Sequence, residues 1–206
     1  MLANKPYIVG VTGGIGSGKS EAAKYLATLG AMHVDADAIS HELTSTDPET
    51  LREIQETFGE EVFTPEGCLD RKAMGEKTFS NEKDRRALEK ILHPRIQRRM
   101  IQQIDEAAKQ GVKIVVLDVP LLFETGMDAL CDETWVLAAN LETQLARVMM
   151  RDHIEREDAM ARVQSQMPAE EKQKRATYTI STERSIEKTQ AELNSLYQQA
   201  LKRAGG

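Results

Sequence analysis

"VGVTGGIGSGKSEAAKYL", residues 9–26, sets Gly13, Gly14, Gly16 and Gly18 between an apolar run and a helix-like segment, with Lys19 and Ser20 directly behind them. Gly13, four residues, and then Gly18-Lys19-Ser20 satisfy the pattern GxxxxGK followed by Ser or Thr. Glycines in such a loop adopt positive φ and let N–H groups converge on phosphate oxygens with no Cβ in the way. The lysine reaches the β and γ phosphates, the serine hydroxyl ligates Mg²⁺, and the helix that starts there turns its positive dipole end toward the anion. A glycine-rich turn with no ligand is the alternative. Placement after a strand and before a helix favours a phosphate cradle formed by Gly14, Ile15, Gly16, Ser17, Gly18, Lys19 and Ser20. A dinucleotide fingerprint fails, because GxGxxG started at Gly14 requires glycine where Lys19 stands.

Outward from the loop, "YIVGVT" (residues 7–12) reads as a buried strand. Lys19 to Leu29 carries Ala22, Ala23, Leu26 and Leu29 at helical spacing, with Gly30 as its C-terminal stop, and "AMHV" before Asp35 is a second strand. Strand, glycine loop, helix, strand is the order of a βαβ unit, which implies a parallel sheet covered by helices. "VKIVVLDV" (112–119), the most hydrophobic run, is expected as a central strand, with "ETWVLAA" and "TYTIS" (177–181) as two more. From about residue 38 to 110 the pattern is helical and polar, punctuated at Pro48, Gly59, "TPEG" and Pro94. A charged helical excursion fills about 148–175, and the C-terminal helix presents Ile186, Leu193, Leu196, Tyr197 and Leu201 as an apolar stripe. The expectation is one domain with a core at about 1–37, 111–147 and 176–206, a helical insertion and a helical excursion.

The chain of 206 residues is long enough for one real core, and 40% hydrophobic with 29% charged residues is ordinary for a globular protein. A net charge of −6 argues against coating nucleic acid or an anionic membrane. Cys68 and Cys131 have no CxxC or histidine-rich company, which points to free thiols and not zinc. No apolar stretch approaches the ~20 residues that span a bilayer, and "MLANKPY" has no signal-peptide character. A cytoplasmic protein is expected, as a monomer or a weak homo-oligomer.

A guanine-reading NKxD and a DxxG switch are both missing from the sequence, leaving a small phosphotransferase, whose catalysis is positioning and charge neutralisation. "VDADAIS" supplies Asp37 and Asp35 at a strand end on the same carboxyl edge as the loop. Asp37 is the first choice to take the acceptor hydroxyl's proton and Asp35 the second, with helix capping as the alternative for either. Asp118 closes a buried strand, where it would hold a water on Mg²⁺ or orient Ser20; a structural hydrogen bond is the other reading. Arg147 and Arg151, four apart, share a helix face and suit a transferring phosphoryl group, unless they only form a solvated face with Asp152, Glu155 and Glu157. His93 in "LHPRI" either contacts an anionic acceptor or caps and packs where Pro94 interrupts a helix; Arg71 is a lone basic residue of the insertion.

In order along the chain, "GVTGGIGSGKS", "HVDADAIS", "FGEEVFTPEGCLDRKAMGEKTF", "LHPRI", "DVPLLFETG" and "QLARVMMRD" together resemble the dephospho-coenzyme A kinases. The resemblance implies a three-layer α/β P-loop kinase fold with a parallel sheet, a helical substrate-binding insertion and a helical lid. It also implies transfer of the ATP γ-phosphate, with Mg²⁺, to the 3′-hydroxyl of dephospho-coenzyme A. By position it makes Asp37 the catalytic base and Arg147 and Arg151 lid arginines facing phosphates. His93, Leu121, Leu122, Glu124 and Arg71 fall on the acceptor side. Glu21 takes the ATP-binding place where many members have threonine, and "ISTERSIE" stands where members commonly carry an Asp/Asn and glycine turn near the adenine.

Overall fold

In the computed structural model, which describes residues 5–205, alternating strands and helices build the first of two units. The strands are β1 (Tyr7–Gly13), β2 (Met32–Asp35), β3 (Ile114–Asp118), β4 (Glu133–Ala138) and β5 (Tyr178–Ser181). They form one parallel sheet in the order β2-β3-β1-β4-β5. Each β-branched or apolar run singled out in the sequence is a strand, with its ends within two residues of those expected. Strands buried on both faces have no polar alternation, and β3 is buried at every position.

On one face Val9, Val11, Ile114, Val116, Trp135, Leu137 and Ile180 form a core with α1 (Lys19–Thr28) and α9 (Ile186–Ala204). Those helices contribute Ala22, Ala23, Leu26, Leu193, Leu196 and Tyr197. Ile186, expected in that stripe, is 71% exposed. It is the first residue of α9, and the buried stripe begins only about two turns later at Leu193. The helix α1 stops when Gly30 N–H bonds to Ala27 O and Ala31 N–H to Leu26 O, a closure that turns the chain into β2. The strand period of two sends Ile8, Gly10, Val115 and Leu117 to the opposite face. There the segment after β3 closes over Gly10 through Leu122 and Cys131. Burial pushes the Cys131 thiol up to about 12, so it stays protonated. Between β4 and β5 run α6 (Leu141–Asp152), α7 (Arg156–Gln164) and α8 (Ala169–Arg175), and α8 contacts β4.

The second unit, Ala36–Gln102, is helical. It holds α2 (Ala36–Thr46), α3 (Pro48–Phe58), α4 (Arg71–Ser80) and most of α5 (Glu82–Lys109) around Ile54, Phe58, Val62, Met74 and Ile91. Pro94 does not interrupt the helix as the sequence suggested: it lies inside α5. Proline forfeits one backbone bond and about 3 kcal/mol of helix propensity. The helix continues because Ile91, Leu92, Ile96 and Met100 around it are buried, and Arg95 Nη1 adds a bond to Ile91 O at 2.9 Å. Among the described residues, no helix is long and apolar enough to cross a membrane.

The start of α3 is held by Asp47, whose carboxylate accepts from Thr50 N–H at 2.8 Å and from the Thr50 hydroxyl, with Pro48 preset in the first turn. The Thr50 hydroxyl, then its N–H, hold the Asp47 carboxyl below its ordinary pKa. A depressed folded pKa contributes stability that is present above the unfolded value of about 4 and is lost as pH falls through the folded one. Asp47→Ala should therefore lower unfolding free energy by about 1 kcal/mol at pH 7 and by less near pH 3, read from urea denaturation at both pH values.

Candidate active site

The phosphate loop leaves β1 at Gly13 and enters α1 through Gly18, which sits in the left-handed region at φ 86°. A Cβ on Gly13 would lie 2.6 Å from Leu137 O, and one on Gly16, already at φ 76°, would lie 2.7 Å from Gln144 O. Both contacts are with backbone that cannot swing aside, so the turn demands glycine at these places. The loop's outward groups are taken up by other elements. Gly16 O accepts from Arg147 Nη1 at 3.1 Å, Ser17 O accepts from the Thr182 hydroxyl at 2.8 Å, and Ile15 N–H donates to Gln166 Oε1 at 2.9 Å. Thr182 is itself pinned, since its carbonyl accepts from Arg147 Nη2 at 2.8 Å and its N–H donates to Ala138 O at 2.8 Å. Ser17 Oγ is buried with no hydrogen-bond partner among the described residues. The first N–H groups of a helix have no intrahelical acceptor, so the start of α1 offers donors to an anion.

At the same sheet edge, parallel register sets Asp35 of β2 opposite Asp118 of β3, and Val11 of β1 opposite Asp118 from the other side. Asp118 is 1% exposed, and its two carboxylate oxygens face two partners: Lys19 Nζ forms an ion pair with Oδ1, and His33 Nε2 lies 3.3 Å from Oδ2. Burial pushes the Asp118 carboxyl up, but the hydrogen bond from His33 and the charge and hydrogen bond of Lys19 outweigh it, leaving the pKa below the usual carboxylate value. Ligand atoms of His33, Asp35 and Asp118 lie within 4.8 Å of one another. Carboxylate oxygens gathered beside the Ser20 hydroxyl's helix are the hard donors that Mg²⁺ takes, so this edge fits such an ion.

Arg151 is forked onto Asp152, with Nε to Oδ1 at 2.6 Å and Nη2 to Oδ2 at 2.9 Å, and Arg162 shares the same carboxylate. Glu21 points along the outside of α1 to Lys24 at 3.0 Å, with its side chain 80% exposed, so its charge is spent in solvent. Leu121 is half-buried on the segment after β3, but Leu122 is fully buried under Gly10. Leu122 supports that segment from the core. Glu124 pairs with Lys172 Nζ at 2.9 Å and accepts from Met167 N–H at 3.1 Å. In the helical unit, Asp37 lies in the first turn of α2, two residues past Asp35. Arg71 Nη2 donates to Thr44 Oγ1, Ser45 Oγ and His41 O, and His93 is half-buried inside α5, not at a helix end.

A family model described as dephospho-CoA kinase matches residues 7–188. The chain belongs to the dephospho-CoA kinase family. It is 40% identical over 189 residues to the dephospho-CoA kinase of Bacillus licheniformis, which covers 92% of this chain and 94% of that one. The structure of TT1252 from Thermus thermophilus superposes with a TM-score of 0.80 at 36% identity, covering 94% of this chain and 97% of the other. Dephospho-CoA kinase from Campylobacter jejuni gives 0.71 at 30% identity, covering 95% and 97%. Membership in the dephospho-CoA kinase family makes this chain an ATP-dependent phosphotransferase on a three-layer P-loop fold.

Four residues of this edge carried no sequence argument. His33 stands two before Asp35, so a strand period of two already put both on one face, and that was a usable signal. Thr182, Gln166 and Lys172 gave none, because their partners lie between 35 and 165 residues away. Lys172, 0% exposed, holds both Glu124 and, at 2.9 Å, Pro120 O. Removing one member of a buried pair strands the other, although Glu124, 22% exposed, can recover some water. Lys172→Met should cost about 2–4 kcal/mol in a denaturation midpoint series, while Lys174→Met, exposed on the same helix, should cost less than about 0.5.

Proposed function

We propose that this chain transfers the γ-phosphate of Mg²⁺-bound ATP to the 3′-hydroxyl of dephospho-coenzyme A, with donor groups on the parallel-sheet edge and Asp37 as the base. The acceptor oxygen forms a bond to the γ phosphorus as the bond from that phosphorus to the β–γ bridging oxygen breaks. The acceptor's proton passes to the Asp37 carboxylate, with Asp35 as the second choice, and ADP leaves. The phosphate loop from Gly14 to Ser20 holds the β and γ phosphates with N–H groups and Lys19. Ser20 and Asp118 would hold the magnesium, which when bound offsets charge on the β and γ oxygens. The observation that carries this reading is the Lys19–Asp118 pair at the mouth of the cradle, set in a chain whose family phosphorylates this acceptor.

The segment of about 148–175 serves as the lid, and the helical unit of about 38–110 as the acceptor-binding insertion, with His93, Arg71, Leu121 and Glu124 shaping the acceptor side. Arg147, anchored on the loop, sets the loop's shape and faces the donor. Arg151 trades its exposed pairing with Asp152 for a phosphoryl oxygen. Exposed ion pairs are worth about 0–1 kcal/mol, so that exchange is cheap. A monomer or weak homo-oligomer working in the cytoplasm, without nucleic acid or membrane partners, completes the reading.

Mass detection of products across a panel of alcohol acceptors with ATP should show phosphorylation of dephospho-coenzyme A far above gluconate, shikimate and nucleosides. Preference for any of those would overturn the assignment. Asp37→Asn should leave ATP affinity within about twofold while lowering kcat by about 10²–10⁴. Near-normal turnover in that variant moves the base to Asp35.

A further inference from the structure

The loop's two outward carbonyls are held by α6 and by the residue after β5, but its outward N–H, that of Ile15, is held by a different element. Gln166 lies in the short link between α7 and α8 and accepts that N–H at 2.9 Å across 151 residues of sequence. The link is anchored here, because the residues after Gln166 are tied down one after another. Met167 N–H donates to Glu124 at 3.1 Å, and Lys172, fully buried, pairs with Glu124 and donates to Pro120 O. Arg175 then lies over the Phe123 ring at 4.6 Å and reaches Asp128. Residues 166–175 thus form a strap from the phosphate loop to the segment that follows β3.

We infer that Gln166 is a positioning residue for ATP. Its amide oxygen fixes the orientation of the first half of the phosphate loop before nucleotide arrives, at a place set by the Glu124–Lys172 anchor. A cradle of N–H groups binds phosphate well only when its peptide planes already point inward, because otherwise binding must also order the loop. Without Gln166 the Gly14–Ile15 peptide is held on one side alone, where Gly14 O accepts from Ser17 N–H at 3.0 Å, and the neighbouring Gly14 and Gly16 give its N–H side little further resistance. A Gln166 side chain that merely filled space would serve as well with methionine in its place.

This inference rests on the donor-side part of the proposed function and needs no acceptor, so its test uses ATP alone and stands whichever alcohol proves to be the substrate. Amide hydrogen exchange of the full chain, followed by ¹⁵N NMR without nucleotide, is compared in the native protein, Gln166→Met and Gln166→Glu. ATP dissociation constants come from calorimetry in the same buffer. Gln166→Met, similar in size without the acceptor, should raise the Ile15 amide exchange rate at least tenfold while Ala22, inside α1, stays as before. It should weaken ATP binding about 3- to 10-fold, the worth of one net hydrogen bond, with the thermal midpoint within about 2 °C. Gln166→Glu keeps an acceptor oxygen and should keep Ile15 protected while weakening ATP through its added charge. Unchanged Ile15 protection in Gln166→Met, unchanged ATP affinity, or a uniform rise in exchange across the whole chain would each overturn the inference.

Discussion

A parallel sheet delivers the carboxyl ends of all its strands to one edge, and here that edge has to accommodate a buried carboxylate. Asp118, at 1% exposure, lies in register with Asp35 on one side and Val11 on the other. An uncompensated charge there would cost several kcal/mol. Lys19 from the phosphate loop and His33 from β2 supply the compensation, one to each oxygen. Sheet register, loop position and the charge state of the site are therefore a single arrangement, since moving any strand by one residue would turn one of these groups into the core or away from the edge.

The loop itself shows how a flexible sequence becomes a rigid cradle. Glycines allow its turns but supply no stiffness. Stiffness comes from outside: Arg147 and Thr182 on the carbonyls of Gly16 and Ser17, and Gln166 on the N–H of Ile15. Every one of these braces belongs to the stretch from α6 to the residue after β5, so the segment rich in charge is a structural partner of the loop as well as a source of arginines. The fully buried Lys172 makes the same point, because a lysine in a polar helix reads as solvated until its partner, Glu124, is seen.

Arginine roles divide along burial. Arg147 spends its guanidinium on backbone and a hydroxyl within hydrogen-bond distance, a fixed arrangement that a fork geometry suits. Arg151, itself exposed, pairs among the described residues with the adjacent, largely buried Asp152 carboxylate, which it shares with Arg162. The first is built into the site, and the second is free to exchange partners at small cost.

What the amino-acid sequence determined by itself was the material of short-range physics. The glycine spacing with Lys19 and Ser20, the apolar runs of the five strands, and Asp35 and Asp118 at strand ends are all set by neighbours in the chain, and period and turn chemistry read them directly. The dephospho-CoA kinase pattern was legible for the same reason, since its motifs are local strings in a set order. Tertiary structure decided everything that depends on distant partners. Pro94 stays helical because buried residues around it outweigh its lost bond, and Leu122 belongs to the core because Gly10 leaves room for it. Gln166 and Lys172 acquired their places only when residues 151 and 52 positions away arrived beside them, because no period in one stretch of chain encodes a hydrogen bond to another.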